Sequence, residues 1–342
     1  MQDDSPKPSS YVADDWEADS VIPLDSILER NAFPPLITGF LLLVVCLVLF
    51  NVVGGLVGFI AIAMTSGAQA LLETAQDPNG LQALVGEHMP ELLIGNTVGQ
   101  FLCIGLAAVV FARMTSSRTK AYLRFRRSDL RLIIIALVGL VAFQPVVSLI
   151  GELWSALPWP ESWREFEAQL MEPVAAVLQQ PDRLLPNLLM IAVTPALCEE
   201  LLFRGYFQRN CERSVGVVGA IVLVGVVFGA YHLQPTKLLP LAALGSFFAY
   251  LTWKSGSLWP AIVAHFANNA LAVSIGTYFA QRPDFDIAEL ENMSFDWYYV
   301  VLGLAILVGS VLLFNRYSDH AKSQIERVQV DPSSGGEESV YG

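Results

Sequence analysis

The stretch LLPNLLMIAVTPALCEELLFRGYFQ, residues 184–208, decides the fold. It exceeds the roughly 18–20 apolar residues needed to cross a bilayer, yet it contains Glu199, Glu200 and Arg204. An ionised side chain at that depth costs roughly 3 kcal/mol on insertion scales. Two adjacent acids there point to a buried polar site, with partners in Arg204 on the same helix and in His232 and His265 on later apolar segments. On a helix, Glu200 and Arg204 share a face, whereas Glu199 points about 100° away. The expected arrangement pairs Glu200 with Arg204 and leaves Glu199 facing a cavity. Pro195 removes one helical hydrogen bond and frees a carbonyl, which is tolerated at membrane depth when another group satisfies it. The bland alternative is an ion pair that staples helices together.

The rest of the chain has the same character. Of 342 residues, 54% are hydrophobic and 15% charged, against about 25% charged in soluble domains. Apolar runs predict eight spans, near 36–64, 91–113, 132–152, 184–208, 214–233, 238–254, 257–280 and 297–315. The fold class is therefore all-α, a polytopic membrane bundle, multi-pass and lipid-embedded. Residues 1–35 hold eight acids against Lys7 and Arg30 and read as a disordered acidic tail. The membrane domain spans 36–318, with its motif-bearing core at 184–280, and 319–342 reads as a second disordered tail. The chain's start lacks a basic n-region, so the first apolar run is expected to be kept as a span. The net charge of −12 lies mostly in the ends and loops, and nothing suggests a nucleic-acid partner.

Orientation follows from the cations. Arg113, Arg118, Lys120, Arg124, Arg126, Arg127 and Arg131 face only Asp129 in the loop after the second span, which makes that loop cytoplasmic by the positive-inside rule. Counting spans puts Arg209, Arg213, Lys254 and Arg316 on the same side, and both termini with them. On the other side, Trp154, Trp159 and Trp163 in the 153–183 segment read as interfacial anchors, with a lid over an entry path as the alternative. Cys46, Cys103, Cys198 and Cys211 show neither disulfide nor zinc-knuckle spacing. Cys198 reads as a packing residue rather than a nucleophile.

Phe228 and His232 lie four apart, as do His265 and Asn269. A lone histidine or asparagine in a span can be interhelical glue. Two Glu, two His and an Asn on three apolar segments can also hydrolyse an amide. A carboxylate and a His activate water, while a second His and an amide donate to the oxyanion. The same groups could ligate zinc, although no His-Glu-x-x-His helix occurs. Depth strains this picture. Counted from the basic end, Glu199 lies roughly 16 Å in, His265 roughly 12–16 Å and His232 about 27 Å. Laying residues 209–219 along the interface and starting the helix near 220 brings His232 to roughly 18 Å, and this segmentation is preferred.

EELLFR at 199–204, FGAYH at 228–232 and HFANN at 265–269 follow in order the pattern EExxxR, FxxxH, HxxxN/D. The chain here resembles the CPBP family, the CAAX-processing and bacteriocin-processing intramembrane endopeptidases also called the Abi group. The resemblance covers roughly 184–280. It implies a bundle holding a peptide bond against an activated water, with Glu199 as catalytic carboxylate and His232 as its partner. His265 and Asn269 would stabilise the oxyanion, and Glu200, Arg204 and Phe228 would support the site. The family is called metalloprotease, but a glutamate-dependent, metal-free route has been argued for it. Cofactor identity stays open between zinc and none; a bound metal would take Glu199, His232 and His265. The implied partner is a peptide or protein substrate, either a prenylated CAAX end or a signal-like or bacteriocin peptide. The alternatives are a non-catalytic immunity or scaffold protein with a structural polar cluster, and a transporter or proton relay.

Overall fold

A computed structural model describes residues 10–11, 22–67, 88–283 and 294–330. Its helices are α1 (Pro35–Ser66), α2 (Met89–Thr115), α3 (Leu130–Ser155), α4 (Glu161–Leu178), α5 (184–215), α6 (217–231), α7 (Leu238–Ser255), α8 (Trp259–Phe279) and α9 (Trp297–Val330). Among the described residues, five stretches are long and apolar enough to cross a membrane, and one of them, Pro181–Tyr231, contains both α5 and α6. With α7 and α8 they form an all-α polytopic bundle, and α4 packs at one end. Strand pairing among the described residues is limited to Ser10–Tyr11 with Ile22–Pro23. A bilayer offers the backbone no partner, so helices that satisfy their own polar groups are the expected outcome.

Small residues set the helix spacing. Gly54 and Gly58 of α1 face Gly95 and Gly99 of α2, so tightly that a Cβ on Gly95 would collide with the α1 backbone at both glycines. Gly225 and Gly229 of α6 meet α7, where a Cβ on Gly245 would lie 3.0 Å from Gly225 Cα. Close backbone approach of this kind drives helix association in lipid. Gly95→Leu should therefore separate α1 from α2 and lower the detergent-unfolding midpoint. Gly55→Leu should change it little, because a Cβ there meets nothing within 4 Å.

The connection between α5 and α6 corrects the preferred segmentation. Residues 209–215 are helical and prolong α5, the chain turns at Gly216 with φ 75° and ψ 171°, a conformation that is essentially glycine-only, and the next helix starts at 217 rather than near 220. The polar run before the turn is buried and bonded. Glu212 takes two hydrogen bonds from Arg124, at 3.0 and 2.8 Å, and one from Gln208 at 2.9 Å. Arg209 donates to Tyr122 O, and Asn210 to Tyr206 O. Glu199 lies seventeen residues before the Gly216 elbow and His232 sixteen after it, about 26 and 24 Å of helix at 1.5 Å per residue. The two side chains therefore sit at matching levels on antiparallel helices, and the depth mismatch disappears.

Within the acidic N-terminal stretch, Ile22 and Leu24 are buried in the main core. Asp25 accepts from Ser117 N and Oγ at 2.9 and 2.7 Å, bonds that hold its carboxyl below the usual range. Glu29 pairs with Arg213 at 2.7 Å. At the other end α9 continues to Val330, past the 318 boundary. Residues 1–9, 12–21 and 331–342 of the two tails lie outside the described residues.

Candidate active site

The acid pair sits between two π-helical turns of α5, Leu189–Val193 and Leu201–Phe207, which flank Thr194–Glu200. Such turns re-aim side chains and occur often at functional sites. Pro195 has no N–H to offer Ile191, and the Ile191 carbonyl accepts instead from Asn269 Nδ2 at 3.2 Å. The broken helical bond thus ties α5 to α8.

Glu200 is fully buried. Its Oε1 accepts from Arg204 Nη1 and from His265 Nδ1, both at 2.8 Å. Arg204 also donates to Gly245 O at 2.9 Å, and its guanidinium lies 4.4 Å over the Phe228 ring. One ion pair therefore joins α5, α7 and α8 and holds His265 by one ring nitrogen. Glu200 Oε2 and Arg204 Nε have no hydrogen-bond partner among the described residues.

With Nδ1 donating to Glu200, His265 presents Nε2 to Glu199, whose Oε2 is 4.0 Å away. The Glu199 side chain is 17% exposed, against none for Glu200. The His265 ring stacks on Phe248 at 5.3 Å and 16°, and meets the edge of Phe228 at 5.8 Å. His232, just past the end of α6, packs on the same Phe228, with centroids 4.8 Å apart. Its Nδ1–H donates to Phe228 O at 2.8 Å, so a neutral ring carries its lone pair on Nε2. Phe228 thus touches both imidazoles and the Arg204 guanidinium. Asn269, one turn beyond His265, gives one amide hydrogen to Ile191 and retains a second.

Sequence reasoning missed three residues. Asn268 Nδ2 donates to Asn269 Oδ1 at 3.2 Å, and Gln144 Nε2 donates to Asn268 Oδ1 at 3.2 Å. Together they fix which way the Asn269 amide faces. A lone Gln inside the apolar α3 is itself a signal of interhelical bonding, and Gln144 could have been found that way. Phe248 carried no such signal. Cys198 is buried against Gly105, where an added Cβ would come within 3.2 Å of its Sγ, so it packs.

Among the described residues, no three His, Cys, Asp or Glu side chains gather closely enough to hold a metal ion. As placed, Glu199, His232 and His265 do not form the three-ligand set a zinc site needs, and no step below is routed through one.

Residues 181–271, from the start of α5 to the middle of α8, match the family model described as type II CAAX prenyl endopeptidase Rce1-like. No curated protein and no solved structure matches the chain. This segment, which carries all three motifs, is thus similar to the CAAX-type intramembrane endopeptidases.

Proposed function

We propose that Glu199 and His232 activate a water for attack on a peptide bond, and that His265 and Asn269 stabilise the resulting oxyanion. The observation that carries this reading is His265, held at Nδ1 by Glu200 with Nε2 4.0 Å from Glu199. In this role His265 gives Nε2–H to the oxyanion while its Nδ1 stays bonded to Glu200, and the second Asn269 amide hydrogen gives another bond. Donors of this kind contribute about 3–4 kcal/mol each to the transition state.

Glu199 takes one proton from water, while His232 Nε2 accepts a hydrogen bond from the proton that stays on oxygen. The hydroxide adds to the carbonyl carbon. On collapse the C–N bond breaks, and Glu199 returns its proton to the leaving nitrogen. One water is consumed, one carboxylic acid and one amine appear, and Glu199 is regenerated; the acid then releases its proton to solvent.

The substrate is a peptide or protein presented at the membrane. We place the basic loop ends, and with them both chain termini, in the cytoplasm on the positive-inside argument, and the membrane domain at 36–318. A second reading, a non-catalytic scaffold, draws support from the fully buried Glu200–Arg204 pair, which staples three helices whether or not chemistry occurs. Comparison of cellular peptide termini between wild type and Glu199→Gln, at equal protein level, separates the two. Catalysis predicts a set of neo-termini that vanishes in the variant; identical termini reject it.

A further inference from the structure

The turn that ends α6 is held from outside the site. Immediately after His232, Leu233 adopts φ +56°, a left-handed conformation that costs a bulky residue and persists only where its surroundings impose it. The surroundings are in α4 and at the end of α3. Glu167 of α4 accepts from Thr236 N at 2.8 Å through Oε1, and from the Thr236 hydroxyl through Oε2. Both residues are buried. Trp154 Nε1 donates to Pro235 O at 2.9 Å.

Burial of Glu167 needs this explanation. Its neighbours Trp163, Phe166 and Leu170 expose 45%, 45% and 36% of their surface, an apolar stripe suited to the headgroup–acyl boundary. A carboxylate beside that stripe is stable only if it is bonded. Its bonding partner is the N-terminal turn that leads into α7, where a carboxylate satisfies an otherwise open N–H and meets the positive end of the helix dipole.

We infer that Glu167 is a positioning residue for His232: α4 clasps the 232–237 turn through the Glu167–Thr236 pair and so fixes where His232 presents Nε2. The kinetic consequence rests on the hydrolytic reading above; the mechanical one does not. The clasp also gives the 153–183 segment a role beyond anchoring, because whatever moves α4 at the membrane surface moves His232.

The test uses the full chain in nanodiscs with two readouts. Carbethoxylation of each histidine by diethyl pyrocarbonate, followed by peptide mass spectrometry, reports local opening without reference to catalysis. Glu167→Ala should raise the rate at His232 by about fivefold or more, as a locally opened segment does, and leave His265 unchanged. Glu167→Gln keeps an acceptor for Thr236 N–H and should fall between. In parallel, kcat should drop by up to about 10²-fold in Glu167→Ala, the scale of a misplacement near 1 Å, while KM stays within about threefold. An unchanged rate at His232, a matching rise at His265, or an unchanged kcat overturns the inference. If wild type cleaves nothing, the hydrolytic reading fails and the labelling alone decides whether Glu167 holds His232.

Discussion

Arg204→Ala should destabilise the protein by about 3–5 kcal/mol, the cost of leaving one member of a buried ion pair without its partner. Glu200 is fully buried, and its remaining neighbour would be His265 Nδ1 alone. The Gly245 carbonyl, which Arg204 also satisfies, would lose its donor at the same time. Chemical unfolding in detergent micelles measures this directly. The double variant Glu200→Gln/Arg204→Met should recover most of the loss, since a buried pair exchanged for groups of similar volume is often neutral. The new amide oxygen can still accept from His265. A loss below about 1 kcal/mol for Arg204→Ala, the range of an exposed pair, would show that the pair does not hold α5, α7 and α8 together.

The contrast between Glu200 and Glu199 is the main lesson of the site. They are adjacent in sequence and differ by about 100° in direction, which is enough to send Glu200 into the ion pair with Arg204 and leave Glu199 outside it, on the Nε2 side of His265. The helical offset alone made that division legible. The spans were legible for a related reason: a bilayer forces each crossing to satisfy its own backbone, so length and apolarity are nearly sufficient.

Other features were illegible because they depend on which helices meet. The polar run Gln208 to Glu212 is buried because Arg124 arrives from the loop between α2 and α3 and bonds Glu212. The elbow therefore falls at Gly216, and only a positive φ there shows why. Gly54, Gly58, Gly95 and Gly99 sit in two apolar runs with small-xxx-small spacing, a pattern present in the sequence whose pairing only the fold supplies. Glu167 gave no hint of its bond to Thr236, sixty-nine positions away. Freed backbone groups behave differently. Pro195 predicts an open carbonyl from local geometry alone, and Asn269 is the side chain that fills it.

The central claim concerns one carboxylate. Glu199 is the less buried acid, close to His265 and free of the ion pair that engages Glu200. The most direct measurement is the cleavage rate of a membrane-presented peptide by purified protein in nanodiscs, run in ¹⁸O-enriched water for wild type and Glu199→Gln. General acid–base work by one side chain contributes about 10²–10⁴-fold, so the amide should lower kcat by about 10³-fold without altering the unfolding midpoint. Wild type should place a single ¹⁸O in each new carboxyl terminus. A Glu199→Gln variant that cleaves within tenfold of wild type, while equally folded, would contradict the account.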